Sequence, residues 1–360
     1  MHLMSAVAEL REVPMTAKSL RRLPAEWEQQ DGVLIAWPHP ESDWASCLDA
    51  VEPVFAELAH QISREETVVI IGPDPERIRT CVQMAGAAMD RVRICQLRTN
   101  DTWTRDFGPI TVEDAGVLRL LDFGFNGWGL KFPADHDNCV SRLLHKSGSF
   151  GVTPLETVGL ILEGGSIESD GAGTLLTTSE CLLNMNRNPH LSRVQVASFL
   201  ASSLGIDRVL WLEHGFVAGD DTDSHIDTLA RFCPNNTIIH LTCDNPLDEH
   251  YSELRLMRQQ LEEFRTRDGR PYRLLELPLP APKLDREDRR LPATYANFLI
   301  INNAVLVPTY RDPRDEFALS QVAAAFPDRR VVGIDCLPLI SQNGSLHCIT
   351  MQIPKGVLTS

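Results

Sequence analysis

Four short polar segments of the chain hold side chains that could support chemistry. The segments are residues 100–109, 163–166, 219–227 and 343–350. Taken alone, each is consistent with an ordinary turn, because Gly, Asp, Asn and Ser are the usual turn residues. Their chemical value depends on whether the fold brings them together.

The last of these segments places a thiol, Cys348, beside an imidazole, His347. A cysteine paired with a histidine is a common nucleophile–base arrangement. If the segment is a strand, adjacent side chains point to opposite faces, so His347 is poorly placed as a base for Cys348. His225 is then the better partner. Taken alone, a single cysteine is more often a small buried hydrophobic side chain.

The segment 219–227 contains four acids and His225 within nine residues. In a strand, His225 and Asp227 would point to the same face, because they are two residues apart. A solvated acidic loop is the simpler interpretation. A zinc or manganese site is another, since His and Asp are ligands of both metals. No second histidine lies nearby, so no metal site is predicted.

The four segments together favour one kind of substrate. Segment 100–109 contributes Trp103 and Asp106, and Glu163 stands at the end of a strand-like run before two glycines that allow close backbone approach. A cysteine nucleophile, a histidine and several carboxylates suit a planar, permanently charged guanidinium, which carboxylates bind through two parallel hydrogen bonds. A cysteine protease would instead need donors for an oxyanion.

Short apolar runs alternate with amphipathic stretches along the whole chain. Helices are predicted around residues 48–62, 194–204 and 251–264, with weaker candidates at 76–89, 138–145 and 316–326. Hairpins are predicted at residues 160–178 and 297–309. The predicted strands are Val33–Trp37, Thr67–Ile71, Val92–Leu97, Leu118–Phe123, Val158–Leu162, Arg208–Leu212, Thr237–Leu241, Arg273–Leu277 and Val331–Ile334.

The order strand, helix, strand and hairpin recurs about every 60–70 residues, which allows a circular arrangement of four or five similar units. The rival architecture, a doubly wound open sheet, would carry a Gly-rich phosphate loop after its first strand, and none follows Val33–Trp37. We expect a single domain over residues 20–355, preceded by a loosely ordered segment over residues 1–19.

Composition narrows the choice of partners. The chain has 360 residues, 43% of them hydrophobic, and a formal net charge of −15. This charge disfavours binding to nucleic acid or to an anionic membrane surface. No apolar run is long enough to span a membrane, and the first twenty residues do not read as a signal peptide. Nine scattered cysteines without a C-x-x-C spacing fit the reducing cytosol, so a cytoplasmic location is expected.

Eight motifs in register resemble the agmatine deiminase family, which includes the bacterial type of peptidylarginine deiminase. They lie at residues 23–28, 36–39, 103–109, 124–129, 162–168, 173–184, 222–227 and 347–350. The resemblance implies an α/β fold of the pentein type, a pseudo-symmetric propeller of five ββαβ-like units around a central active site. It also implies hydrolysis of a guanidinium C–N bond to a ureido product and ammonia, without metal or cofactor.

The resemblance also assigns roles. Cys348 would attack the guanidinium carbon, Asp106 and Asp227 would bind its nitrogens, and His225 would protonate the leaving ammonia and then activate water. Glu163 would hold the imidazole or a guanidinium nitrogen. The remaining substrate-binding residues would be Trp103, Trp128 and Asp221.

Departures from the family pattern concern the substrate. Asp221 stands where agmatine deiminases usually carry Glu, so the pocket for the agmatine amine would be reshaped or bridged by water. Agmatine, giving N-carbamoylputrescine on a putrescine route, is the expected substrate. Peptidylarginine is the nearest alternative, and free arginine is disfavoured because no spare basic residue is evident near the motifs. A non-catalytic guanidinium or polyamine sensor is the alternative of another class, and a homo-oligomer is possible.

Overall fold

The computed structural model describes residues 21–358, so the expected N-terminal segment, residues 1–19, lies outside the described residues. The strands in the described part are β1 (Arg21–Arg22), β2 (Gln30–Ala36), β3 (Thr67–Gly72), β4 (Val92–Gln96), β5 (Ile110–Asp114), β6 (Val117–Gly124), β7 (Leu155–Ile161), β8 (Ile167–Ser169), β9 (Thr174–Thr178), β10 (Arg208–Leu212), β11 (Ala230–Cys233), β12 (Thr237–Thr242), β13 (Arg273–Pro278), β14 (Leu299–Ile301), β15 (Ala304–Thr309), β16 (Arg330–Asp335) and β17 (Met351–Pro354).

Six helices of seven residues or more lie between these strands. They are α1 (Leu48–Ser63), α2 (Pro75–Met84), α3 (Val140–Lys146), α4 (Arg193–Leu204), α5 (Tyr251–Glu263) and α6 (Asp315–Ala325). The buried side chains of α1 follow the three- and four-residue spacing predicted for it, with Val51, Phe55, Leu58 and Ile62 fully inaccessible. Helix α4 begins with a capping box between Ser192 and Gln195, and it ends at Gly205, which takes the left-handed conformation typical of a helix stop.

The strands form five separate sheets, in the orders β17-β2-β3-β4, β1-β5-β6-β7, β10-β9-β8, β11-β12-β13 and β14-β15-β16. Each sheet has the same core: an antiparallel pair, a helix, and a strand parallel to the second member of the pair. The antiparallel pair of the first sheet joins the two ends of the described chain, because β17 pairs with β2. A single open doubly wound sheet is therefore excluded for residues 21–358.

All nine predicted strands and six predicted helices are present, and both predicted hairpins are confirmed as β8–β9 and β14–β15. The prediction missed β1, β5, β11 and β17. It also extended α2 to Met89, whereas this helix ends at Met84, before a turn at Gly86 with φ +81°. The helices of the described part include none that combines the length and the apolar character of a membrane-crossing segment.

The connections between sheets position the candidate site. The chain leaves each sheet after a parallel strand: β4, β7, β10, β13 or β16. The five following connections carry Asp106, Glu163, His225 with Asp227, Asn297 and Cys348, respectively. Ligand sites of α/β proteins commonly lie beyond the carboxyl ends of such strands. Five copies of one topology thus deliver different side chains to a shared place.

Candidate active site

A cavity of about 240 Å³ opens where these connections meet. Five of the predicted site residues line it: Trp103, Asp106, Trp128, Asp221 and Cys348. The three others, Glu163, His225 and Asp227, have no exposed surface and lie behind the cavity wall. Seven carboxyl side chains line the cavity, against one arginine and one histidine, so its interior is strongly acidic.

Cys348 lies in a turn ahead of β17, not in the strand that the alternation argument assumed. Its Sγ lies 3.2 Å from Nδ2 of Asn297 and 3.9 Å from Oδ2 of Asp227. Oδ1 of Asn297 accepts from the backbone N–H groups of His347 and Cys348, at 2.9 and 3.3 Å, so Nδ2 faces the sulfur. Burial, followed by the charges of Asp227 and Asp106, raises the pKa of the thiol well above its usual value.

Asp227 belongs to a 3₁₀ turn, Ile226–Thr228, so the strand geometry considered for His225 and Asp227 does not apply. Its Oδ2 lies 2.7 Å from Nδ1 of His347, while Oδ1 has no hydrogen-bond partner within residues 21–358. Burial opposes ionisation of Asp227, but the hydrogen bond and charge of His347 outweigh it and hold the pKa of this carboxyl below its usual value. The sulfur therefore faces an ionised carboxylate.

Asp106 stands in a helical turn, Thr104–Phe107, that follows Trp103. Its Oδ1 accepts from the backbone N–H of Gly165 and its Oδ2 accepts from Nε1 of Trp128, both at 2.9 Å. Trp128 makes this contact from a left-handed backbone conformation, with φ +54°. Burial raises the pKa of Asp106 to about 6, and His225 opposes that shift.

His225 lies between two of these carboxylates. Its Nε2 is 3.4 Å from Oε2 of Glu163, and its Nδ1 is 3.7 Å from Oδ1 of Asp106. Burial disfavours the imidazolium, but the charge of Asp106, together with contacts to Cys181 and Glu163, raises the pKa of His225 well above its usual value. The imidazole is therefore charged at neutral pH.

Glu163 is itself held by Arg187, whose Nε donates to Oε1 at 3.0 Å and to Oε2 at 2.8 Å. Burial opposes ionisation of Glu163, but His225 and Arg187 together keep its pKa below the usual value. Glu163 contacts the imidazole and does not line the cavity. Of the two roles expected for it, the geometry favours holding His225.

Gly165 shows how closely these groups converge. A Cβ at this position would lie 2.6 Å from Nδ1 of His225, 2.9 Å from Oδ1 of Asp106 and 3.1 Å from Oδ2 of Asp227. A glycine is thus required by contact with three functional groups rather than by the turn alone. The imidazole and both carboxylates surround one point.

The outer part of the cavity is built differently. Asp221 accepts a hydrogen bond from Nδ2 of Asn343 at 3.1 Å, and burial, followed by the charge of Asp220, raises its pKa to about 6. Arg98 also lines the cavity and pairs with Glu41 at 2.9 Å. No spare basic residue is expected near the motifs from the sequence; Arg98 is basic and lines the cavity, but it is paired with Glu41. Arg98 escaped notice because it stands two residues before the first polar segment.

Sequence reasoning missed four residues around the site: Asn297, Arg187, His347 as a contact of Asp227, and Gly165 as a contact of three groups. Asn297 lies in the one inter-sheet connection for which the sequence alone indicated no candidate residue. Its signal, if any, was the polar side chain next to the predicted hairpin at 297–309. The roles of Arg187, His347 and Gly165 depend on tertiary contacts alone, so no local sequence signal indicated them.

Two groups of potential metal ligands occur among the described residues: Glu163 with Cys181 and His225, and Glu26 with Glu168 and His347. Each already contains a guanidinium, because Arg187 binds Glu163 and Arg231 binds both Glu26 and Glu168. An arginine cation therefore neutralises the carboxylates in both places. The absence of a metal requirement stays a prediction.

The site joins a buried thiol, carboxylates and an imidazole on five sheets of one α/β topology. The model of the Porphyromonas-type peptidyl-arginine deiminase family matches residues 22–354. The chain belongs to this family.

Individual relatives cover nearly the whole chain. An agmatine deiminase of Pseudomonas aeruginosa (strain UCBPP-PA14) is 32% identical over 92% of this chain and 95% of its own length. Among solved structures, a cysteine-to-serine variant of a C. jejuni agmatine deiminase with substrate bound has a TM-score of 0.87 and 41% identity, covering 94% of this chain and 97% of its own. A structure from Porphyromonas gingivalis, provisionally described as an arginine deiminase, has a TM-score of 0.89 and 50% identity, covering 93% of this chain and 99% of its own.

Proposed function

We propose that this protein hydrolyses agmatine, with one molecule of water, to N-carbamoylputrescine and ammonia. One observation carries the proposal: the sulfur of Cys348 lies 3.9 Å from an Asp227 oxygen at the bottom of an acid-lined cavity. Several carboxylates around one cavity attract and orient a flat cation, and a sulfur beside them is placed to attack the carbon of that cation. The agmatine deiminases that resemble this chain over nearly its full length support the same reaction.

The first half of the proposed reaction forms a bond between sulfur and carbon. Asp106, which lines the cavity, accepts hydrogen bonds from N–H groups of the guanidinium. Asp227, which lies behind the cavity wall, accepts from a second pair of its N–H groups. The thiolate of Cys348 attacks the guanidinium carbon. His225, charged at neutral pH, gives a proton to the departing nitrogen, which leaves as ammonia. A covalent thiouronium remains on Cys348.

The second half breaks that bond. His225, now neutral, accepts a proton from a water molecule, whose oxygen attacks the thiouronium carbon. Collapse of the resulting tetrahedral species expels the sulfur and leaves the ureido product. The hydroxyl proton of that species passes to the sulfur and replaces the proton that the thiol released to solvent when the guanidinium bound. Glu163, held by Arg187, keeps the imidazole in place through both halves. Trp103 and Trp128 line the slot that the planar group enters.

Ionisation of the thiol is proposed to depend on the substrate. Burial and the two aspartates keep the pKa of Cys348 high, so the thiol is protonated when the cavity holds no cation. A bound guanidinium brings a full positive charge next to the sulfur and lowers that pKa. Absorbance of the thiolate near 240 nm should rise when a guanidinium inhibitor binds at neutral pH.

Agmatine is favoured by the charge of the cavity. Its tail ends in an ammonium, and the outer cavity offers Asp221 among several further carboxylates. Since an Asp reaches less far than the Glu usual at this position in the family, the ammonium is bound through a water molecule or in a shifted position. Asn343, which donates to Asp221, orients this carboxylate.

Arginine is the second candidate, because Arg98 lines the cavity and could receive a carboxylate. The solved P. gingivalis relative points in the same direction. Arg98 is, however, already paired with Glu41, and its side chain is 63% exposed, so solvent screens its charge. Peptidylarginine would additionally need room for a backbone on both sides of the side chain.

The decisive experiment compares agmatine, free arginine and a blocked arginine peptide as substrates of the purified protein. Ammonia and the ureido product are measured together, and they should appear in equal amounts. Agmatine should have the highest kcat/KM. Faster release of ammonia from the peptide would contradict the proposed substrate, and binding without any turnover would indicate the non-catalytic sensor.

Several further properties are proposed without a direct test so far. The five sheets close into a pseudo-symmetric five-unit propeller, and residues 20–355 act as one catalytic domain. The protein works without metal or cofactor, does not bind nucleic acid or membranes, and forms a homo-oligomer. Its nine cysteines, all free, support the cytoplasm as its location.

A further inference from the structure

His347 connects the candidate active site to a second group of buried charges. Its Nδ1 lies 2.7 Å from Oδ2 of Asp227, and its Nε2 lies 2.8 Å from Oε2 of Glu26. The imidazole is 1% exposed, and Glu26 is brought to it by the segment just before β2. This segment belongs to a motif, residues 23–28, for which the proposed mechanism has no use.

The surroundings of Glu26 hold it firmly. Its Oε1 accepts from the backbone N–H of Ile300 at 3.0 Å, and its Oε2 accepts from Nη2 of Arg231 at 2.8 Å. Arg231 also binds Glu168 and lies over the ring of Phe298, with 4.6 Å from its Cζ to the ring centroid. Glu26 is thus a fixed support for the imidazole rather than a mobile side chain.

His347 lies among buried acidic and basic side chains. The cluster contains three carboxyl groups, those of Asp227, Glu26 and Glu168, and two guanidiniums, those of Arg231 and Arg105. Nδ1 of His347 faces Oδ2 of Asp227, and a proton on Nδ1 makes it a donor to that carboxylate. Nε2 lies 2.8 Å from Oε2 of Glu26 and 3.0 Å from Nη2 of Arg231, so the ring links Asp227 to this cluster.

We propose that His347 is a positioning residue, which clamps the Asp227 carboxylate between Glu26 and the sulfur of Cys348 so that Asp227 is ionised and correctly placed when the guanidinium arrives. Each carboxylate oxygen has two lone pairs, so Oδ2 can accept from His347 and still accept from substrate. His347 acts through Asp227 and does not itself touch the reacting carbon. This role rests on the proposed function.

Two substitutions test whether the hydrogen bond from His347 to Asp227 is needed, or only a buried polar side chain at position 347. In His347→Asn, the amide nitrogen can take the place of Nδ1 and still donate to Asp227. In His347→Gln, the amide extends towards Glu26 and no longer donates to Asp227 from that place. We expect kcat/KM for agmatine to fall about 100-fold in His347→Gln, as is common when a reacting group is misplaced by 1 Å, and clearly less in His347→Asn.

The pH profile is a readout that a purely structural role would not move. His347 helps to keep the pKa of Asp227 low, so its removal raises that pKa. The acidic limb of kcat/KM should therefore shift to higher pH in His347→Gln. The groups that face His347, namely Asp227, Glu26 and Arg231, are unchanged in this variant, so the shift reports the imidazole alone.

A matched control is His240→Gln. His240 is also fully buried, but its Nδ1 contacts only the carbonyl oxygen of Leu241, and it does not line the cavity. This variant reports the general cost of replacing a buried histidine, and its kcat/KM and pH profile should match those of the wild type. If His347→Gln does not fold, His347→Ala removes the same donor and takes its place.

The outcomes separate the two proposals. Failure of the wild-type protein to release ammonia from agmatine contradicts the proposed function. If the wild type is active, equal kcat/KM values and equal acidic limbs for folded His347→Gln and His240→Gln overturn the positioning role alone. A larger loss in His347→Asn than in His347→Gln overturns it as well.

Discussion

The inner and outer halves of the cavity are built on different principles. In the inner half, Asp106, His225 and Asp227 are buried, and each is held by at least one side chain or backbone group. In the outer half, the Arg98–Glu41 pair has side chains that are 63% and 69% exposed. Charges in the inner half are little screened, whereas those of the Arg98–Glu41 pair are screened by water. Asp221 lies between these limits, because burial raises its pKa to about 6.

This difference separates chemistry from substrate choice. A change in the inner half leaves a buried charge unpaired or moves a reacting group, and both are costly. A change in the outer half alters an attraction that solvent already weakens. We therefore expect substitutions in the inner half to lower kcat by orders of magnitude, and those in the outer half to change KM and the preference among guanidines.

The largest effect is expected for Cys348→Ser, the sharpest test of the inner half. The hydroxyl has nearly the same shape but is not ionised at neutral pH, so kcat for agmatine should fall at least about 1000-fold. Agmatine should still bind, as calorimetry can measure. Mass spectrometry of the wild type, quenched during turnover, should find the covalent adduct on Cys348 and not on the variant. Ammonia release at the normal rate would rule out this nucleophile.

Gly165→Ala should rank next. Its Cβ would lie 2.6–3.1 Å from His225, Asp106 and Asp227, so at least one of these groups must move. We expect kcat to fall about 100-fold, because a reacting group is displaced, and the melting temperature to fall as well, because His225 and Asp227 are fully buried. Gly159→Ala is the matched control, since no atom lies within 4 Å of its Cβ position. Equal activity of the two variants would mean that the three groups need not converge on Gly165.

Asp221→Asn tests the outer half. Removal of the charge should raise KM for agmatine about tenfold and leave kcat nearly unchanged, because a hydrogen bond to a charged group is lost without movement of the reacting atoms. Butylguanidine, which lacks the amine, should show no such change. A fall in kcat comparable to that of Gly165→Ala would erase the distinction between the two halves.

The pH dependence of the preference for agmatine over butylguanidine gives a finer test of Asp221. The pKa of Asp221 is raised to about 6, so this carboxyl is charged above that pH and loses its charge as the pH falls through it. The ratio of kcat/KM for agmatine to that for butylguanidine should drop below about pH 6. In Asp221→Asn the ratio should be flat. Asp106, with a pKa near the same value, affects both substrates and cancels in the ratio.

The smallest effect is expected for Arg98→Gln. An exposed ion pair contributes about 0.2–1 kcal/mol, so kcat/KM for free arginine should fall less than about fivefold and that for agmatine should stay constant. Asn100→Gln is unsuitable as a control, because Oδ1 of Asn100 accepts from the backbone of His136 and Asp137. Arg93→Gln, on β4 away from the cavity, serves instead. A loss for agmatine as large as that for arginine would contradict the screening argument.

Much of the fold was predictable because its elements are locally encoded. Branched and aromatic runs became strands, three- and four-residue apolar spacing became helices, and Gly205 marked the end of α4. The strands that were missed, β1, β5, β11 and β17, are at most five residues long and are stabilised by pairing with partners that propensity does not reveal. Strand β17 pairs with β2, which lies more than three hundred residues earlier in the chain.

The sequence by itself determined which residue types were available for chemistry and the order of elements that carries them. It also indicated the kind of substrate, because a thiol, a histidine and several acids in one chain suit a flat cation. Only the tertiary structure decided which groups meet. It moved Asp227 and Cys348 from assumed strands into turns, joined His347 to Glu26, and placed Asn297 beside the sulfur. These contacts depend on how five sheets are arranged in space, which no local pattern of residues encodes.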